Sequence, residues 1–140
     1  STPPTSSAAC DPNTLAGWNF NPGISSQVGD ASPELKAMLG CMCTVLKKQN
    51  ITGTITSISD MDFIGNPAAC TKTSTRTTAC DHAANSCHYG GLSGNNKSYA
   101  ADIGVRAGVG PITAAAQQCG ASAVINEGNH IHTSVPACGR

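Results

Sequence analysis

Two histidines separated by a single residue stand in the run Glu127-Gly128-Asn129-His130-Ile131-His132-Thr133-Ser134-Val135-Pro136. The run is rich in β-branched residues and reads as a β-strand, in which side chains two apart share a face at about 7 Å spacing. Two imidazoles side by side suit a metal ion with a reacting group next to it, although so short a pattern also fits an incidental surface pair. Asp102 stands out for a different reason. Its neighbours Ala100, Ala101, Ile103 and Val105 are apolar, and a carboxylate is expensive to bury there unless hydrogen-bonded, ion-paired or bound to a metal. With His88 added, His88, Asp102 and His132 make two imidazoles and one carboxylate, a set that leaves zinc a fourth position for water. Glu127 then stands as a general base and His130 as a stabiliser of developing charge.

These side chains need elements to position them. Ser32-Pro33-Glu34 is a helix start, with a capping hydroxyl, proline in the first turn and an acid at the positive helix end. Leu35, Met38, Leu39, Met42, Val45 and Leu46 follow at helical spacing, and Lys47, Lys48 and Asn50 close the helix. Residues 51–59 alternate apolar with small polar side chains and predict a half-buried strand, and 99–105 predict a second. Gly110-Pro111 opens an Ala-rich helix over 112–119, ended by Gly120; residues 121–126 form a strand that turns through Glu127-Gly128-Asn129 into the His-x-His strand. Antiparallel pairing of that hairpin with 99–105 would bring Asp102 towards His130 and His132. Residues 60–78 have no period and predict a long disulfide-pinned loop containing Arg76. Residues 1–30, rich in Ser, Thr, Pro, Asn and Gly, read as an irregular arm without chemistry, tied down at Cys10 and by Trp18 and Phe20.

A chain of 140 residues predicts one domain, here the arm 1–30 followed by 31–140. Formal net charge is zero and Lys47-Lys48 is the only adjacent basic pair, which argues against nucleic acid or an anionic membrane as partner. No apolar run approaches the ~18 residues of a membrane span, and the first residues do not resemble a signal peptide. Eight cysteines, dispersed and without a Cys-x-x-Cys pair, predict a disulfide framework of unspecified pairing. That implies a secreted, extracellular or periplasmic protein whose export signal has been removed. The fold class expected is α+β: a small antiparallel sheet with two main helices packed on it, loop-rich and disulfide-stapled.

Two stretches carry a family resemblance. Ser86-Cys87-His88-Tyr89, then an insertion and Ser98-Tyr99-Ala100-Ala101-Asp102-Ile103, resembles the first motif of the zinc D,D- and L,D-peptidases, which include the D-Ala-D-Ala carboxypeptidases and share their fold with the Hedgehog signalling domain. The run from Glu127 to Val135 resembles the second motif, an acid followed by a metal-ligand histidine on a strand, especially in its Hedgehog form. The resemblance covers roughly residues 33–136. It implies zinc as cofactor, ligands at His88, Asp102 and His132, Glu127 as base and His130 in the site. The spacing Glu127-x-x-His130 also matches the carboxypeptidase form with His130 as ligand; the residues after His132 favour the Hedgehog form. The chain departs from the family in the longer spacing between His88 and Asp102. It also lacks the arginine that usually follows the strand equivalent to 51–59 and holds the substrate carboxylate. Ser57 stands at that place, and Arg76 is the arginine within reach in sequence.

The resemblance implies a zinc metallopeptidase acting on amide bonds, with a peptidoglycan stem peptide or another extracellular peptide as partner; an oligomer is compatible with the sequence. The alternative function is a non-catalytic extracellular structural, adhesive or assembly-forming module that keeps the zinc site.

Overall fold

The computed structural model describes residues 8–60, 82, 86–90 and 97–138. Arg76, Cys70, Cys80 and most of the expected loops 60–78 and 90–97 lie outside the described residues. Among the described residues the chain is α+β. Five strands form one sheet: β1 (Asn19–Phe20), β2 (Thr54–Ser57), β3 (Ala100–Gly104), β4 (Ala123–Asn126) and β5 (His130–Ser134), in the order β1-β2-β3-β5-β4. The two α-helices among the described residues are α1 (Pro33–Lys47) and α2 (Val109–Gln118).

Local chemistry explains most of these boundaries. Ser32 caps α1, its hydroxyl accepting from the Leu35 N–H at 3.1 Å, with Pro33 in the first turn. Leu35, Met38, Leu39, Met42 and Leu46 on its apolar stripe are all buried. α2 begins at Val109 and takes Pro111 into its first turn, where proline's missing N–H has no partner to lose. The turn from β4 to β5 holds Gly128 at φ 100°, a left-handed conformation that suits glycine, and Glu127 N–H donates to the His130 carbonyl at 2.9 Å.

The sheet is mixed rather than antiparallel, because β1 runs parallel to β2. This pairing also draws the N-terminal segment into the core. Leu15 and Trp18 are almost fully buried, the Trp18 indole donates to the Leu39 carbonyl at 3.0 Å, and Cys10 is bridged to Cys43. Two further disulfides join the elements, Cys41–Cys119 between α1 and the end of α2, and Cys87–Cys138. Every cysteine among the described residues is bridged. No helix among the described residues is long and apolar enough to cross a membrane.

Strand alternation divides the sheet into two faces. Ile103 of β3 and Ile131 of β5 are partners and belong to the buried core with Ile55 of β2. On the other face Asp102 is paired with His132 across β3 and β5. An irregularity in β2 completes this row: Ile55 opposes Ile103 but Ser57 opposes Asp102, so Thr56 is an extra residue. A bulge of this kind re-aims the side chain that follows it. Ser57, Asp102 and His132 therefore lie in one line across three strands.

Candidate metal centre

All four histidines of the chain gather around this row. His88 arrives from a 3-10 turn, Cys87–Tyr89, capped by the Ser86 hydroxyl, which accepts from the His88 N–H at 3.1 Å. Its ring is buried. Nε2 stands 3.1 Å from Asp102 Oδ1, and Nδ1 stands 2.7 Å from the Ile58 carbonyl oxygen. His132 brings Nδ1 to 3.4 Å from the same Asp102 Oδ1. His130 reaches the other oxygen, with Nε2 at 3.6 Å from Oδ2 and 3.1 Å from Glu127 Oε1.

The Ile58 carbonyl can only accept, so Nδ1 of His88 carries the ring proton. Burial pushes His88 towards its neutral form, outweighing the attraction of Asp102, and the neighbouring His82 and His132 act in the same direction. Nε2 then presents a lone pair to Asp102. Burial also opposes ionisation of Asp102 and is the largest single influence on it. The contacts from His132 and His88 together outweigh it and hold the carboxyl far below the usual carboxylate range. His88 Nε2 and Asp102 Oδ1 thus face one another at 3.1 Å in a place nearly closed to solvent. Both atoms are of the kind that binds a metal ion, and a ring N–H fixed on a backbone carbonyl is the usual support for a metal-ligating histidine.

Distances and ring planes discriminate among the donors. Two donors bound to one tetrahedral zinc at about 2.0–2.1 Å stand about 3.3 Å apart, close to the His88–Asp102 and His132–Asp102 separations. The rings of His88 and His132 are inclined at 66°, so their planes intersect and one ion can lie in both. By distance alone the candidate group here is His82, His88 and Asp102, whose ligand atoms all lie within 4.8 Å of one another; His132 is close to Asp102 but does not join it and His88 in such a group. His82, however, stacks on His88 at 3.7 Å with the rings 8° from parallel. An imidazole lone pair lies in its ring plane, and planes so nearly parallel do not meet at bonding distance. As arranged here, His82 covers the face of His88 without sharing an ion with it.

His82 was not singled out in the sequence, nor was Asp60, and the two form a pair. His82 Nε2 is 2.5 Å from Asp60 Oδ2, and the Ser57 hydroxyl lies 2.9 Å from Asp60 Oδ2 and 2.9 Å from His82 Nε2. Burial opposes ionisation of Asp60, but the hydrogen bond and charge of His82, with the Ser57 hydroxyl, hold its carboxyl below its ordinary value. The available signals were that His82 completes a set of only four histidines and that Asp60 ends an alternating strand.

One further residue braces the site from the supposed arm. Gln27 lies in a 3-10 helix, Ile24–Asp30, and is buried. Its single Oε1 accepts from the backbone N–H groups of Ile58, Ser59 and Asp60 at 3.0, 3.0 and 2.9 Å. Asp30 Oδ2 accepts from the Ser59 hydroxyl. The segment that orients His88 through the Ile58 carbonyl, and that carries Asp60, is thus held by residues 27–30. The expectation that residues 1–30 carry nothing for the site is corrected by these contacts.

The structure brings His88, Asp102, His130, His132, Glu127 and Ser57 into one neighbourhood, while Arg76 lies outside the described residues. No protein-family model matches the chain, and no curated protein or solved structure matches it, so its chemistry has to be read from this geometry.

Proposed function

We propose that the protein is a secreted zinc-dependent hydrolase of amide bonds, with the ion held by His88, Asp102 and His132. The observation that carries this reading is the meeting of His88 Nε2 with an Asp102 oxygen at 3.1 Å in a nearly closed place, with His132 Nδ1 3.4 Å from the same oxygen and a partly exposed carboxylate at Glu127 beside them. Zinc in that place supplies a Lewis acid for a scissile carbonyl and for an attacking water. Glu127, on the hairpin turn and 46% exposed, accepts the proton of the water and delivers it to the leaving amine. His130 lines the site between the two carboxylates, its Nε2 3.1 Å from Glu127 Oε1 and 3.6 Å from Asp102 Oδ2. His82 shields the face of His88 from water, and the Ser57–Asp60–His82 group lines the same side of the site.

The fold belonging to the Hedgehog and D,D-peptidase type, and a peptidoglycan stem peptide as substrate, are parts of this proposal supported by the two motifs in the sequence. The three disulfides among the described residues support an oxidising compartment such as the cell exterior or periplasm. The test is release of amino groups from peptidoglycan fragments and from short extracellular-type peptides, with and without a chelator. Chelator-sensitive hydrolysis restored by zinc supports the enzyme. Bound zinc with no hydrolysis of any of these substrates favours a metal-bearing structural or adhesive module instead.

A further inference from the structure

Asp102 uses only one of its two oxygens in the site described above. Oδ1 faces His88 and His132, whereas Oδ2 faces His130 Nε2 at 3.6 Å, and the same Nε2 lies 3.1 Å from Glu127 Oε1. Asp102, Glu127 and His130 form a second group whose ligand atoms all lie within 4.8 Å of one another. These spacings again bracket the roughly 3.3 Å between two donors on one tetrahedral zinc. The other ring nitrogen of His130 is already engaged. Nδ1 is 2.6 Å from Asn129 Oδ1, an oxygen that accepts the ring proton and leaves Nε2 as a lone pair between two carboxylates. The arrangement repeats on the outer side what Ile58 and His88 do on the inner side.

We propose that Glu127, His130 and Oδ2 of Asp102 form a second, weaker zinc site that shares the Asp102 carboxylate with the first and, when filled, takes Glu127 out of use as a base. A carboxylate has two oxygens with separate lone pairs, so one aspartate can serve both ions. The outer site is weaker because its donors are more exposed: the Glu127 side chain is 46% and that of His130 28% accessible, against 2% for His88. Its support, Asn129, is an adjacent side chain on the same hairpin turn, where His88 has a backbone carbonyl braced by Gln27. The proposal identifies a divalent cation of the zinc type as a ligand with two opposite effects. The first equivalent enables hydrolysis and the second suppresses it. The suppression rests on the hydrolase reading above; the second site itself does not.

The experiment is calorimetric titration of zinc into the chelator-stripped full chain, with bound metal counted after equilibrium dialysis and hydrolysis followed on the same samples. The expected result is two equivalents, the second at least about tenfold weaker, with hydrolysis rising through the first step and falling through the second. Glu127→Ala and His130→Ala should each remove the second step and keep the first. Asn129→Ala should weaken the second by about tenfold, the usual effect of losing an outer support. His88→Ala should remove the tight step alone. Binding of one equivalent, or a second step that survives in Glu127→Ala, overturns the second site and leaves the hydrolase reading standing. A second step without any fall in hydrolysis overturns the suppression. Failure to bind zinc at all overturns both the second site and the hydrolase reading.

Discussion

Nε2 of His88 stands 3.1 Å from Oδ1 of Asp102 with its ring proton committed to the opposite nitrogen, where the Ile58 carbonyl accepts it at 2.7 Å. A protonated His88 would satisfy both contacts, but burial works against the charged ring, and an ionised Asp102 without a counterion is costly in the same place. A metal ion satisfies both groups at once. The pair thus links the fold to the chemistry: the bulge in β2, the Ile58 carbonyl and the cross-strand partner His132 all serve to bring these donors together.

The brace beneath this pair is open to test. Gln27→Ala removes the one acceptor of three backbone N–H groups next to the site. Leaving buried donors unsatisfied should destabilise the fold by about 3 kcal/mol and, by loosening Ile58, weaken zinc binding by about tenfold. Thermal denaturation and zinc titration check the two effects separately. An unchanged zinc affinity would show that His88 is oriented without help from Gln27.

A pH effect follows from Asp60. Its folded pKa lies below the unfolded value, since His82 and Ser57 together outweigh the opposing effect of burial. A depressed carboxylate binds fewer protons folded than unfolded, so its contribution to stability is present above about pH 4 and is lost as pH falls further, through the folded pKa. In metal-stripped protein, Asp60→Asn should lower Tm at pH 7 by about 3 °C, and the gap to wild type should close in strong acid. Calorimetry from pH 7 down to pH 2 reads this directly; a gap that stays constant across the range contradicts the assigned role.

Much of this architecture is legible in the sequence because it rests on local rules. The capped helix from Ser32, the alternating strands and the Glu127–Asn129 turn follow from short-range patterns, and the hairpin pairing that joins Asp102 to His132 follows from them. What escapes is non-local. β1 is two residues long and exists through its parallel pairing with Thr54 and Ile55, which turns the expected antiparallel sheet into a mixed one. Gln27 acts on backbone groups more than thirty positions away, and no periodicity marks a residue of that kind. His82 sits among aperiodic residues and acquires its place by stacking on His88. The irregular N-terminal composition also conceals Leu15, which is fully buried, although Trp18 and Cys10, the tie-down points expected there, are respectively buried and bridged.

The proposed base has its own signature. Glu127→Gln preserves size and much of the hydrogen bonding but cannot take a proton. With zinc held at one equivalent, turnover should fall by ~10²-fold or more, the usual scale for a positioned acid–base group. Tight-site zinc and Tm should barely move, because the carboxylate acts when charge moves and not in the resting site. Steady-state kinetics alongside metal analysis make the comparison. Loss of the tight zinc in this variant would transfer Glu127 to the inner coordination sphere.

Metal content of single variants tests the central assignment most directly. Wild-type protein, His88→Ala, Asp102→Ala, His132→Ala, His82→Ala and His130→Ala are each dialysed against zinc sufficient for the tight step and analysed by elemental mass spectrometry. Circular dichroism on the same samples confirms that each variant is folded. Three protein ligands are the set a catalytic zinc site uses, so the first three variants should lose the metal. His82→Ala and His130→Ala should retain close to one equivalent, because one ring lies stacked on His88 and the other faces the far oxygen of Asp102. If folded His132→Ala keeps its zinc while His130→Ala or His82→Ala loses it, the ion is held by a different set of histidines and the centre described here is wrong.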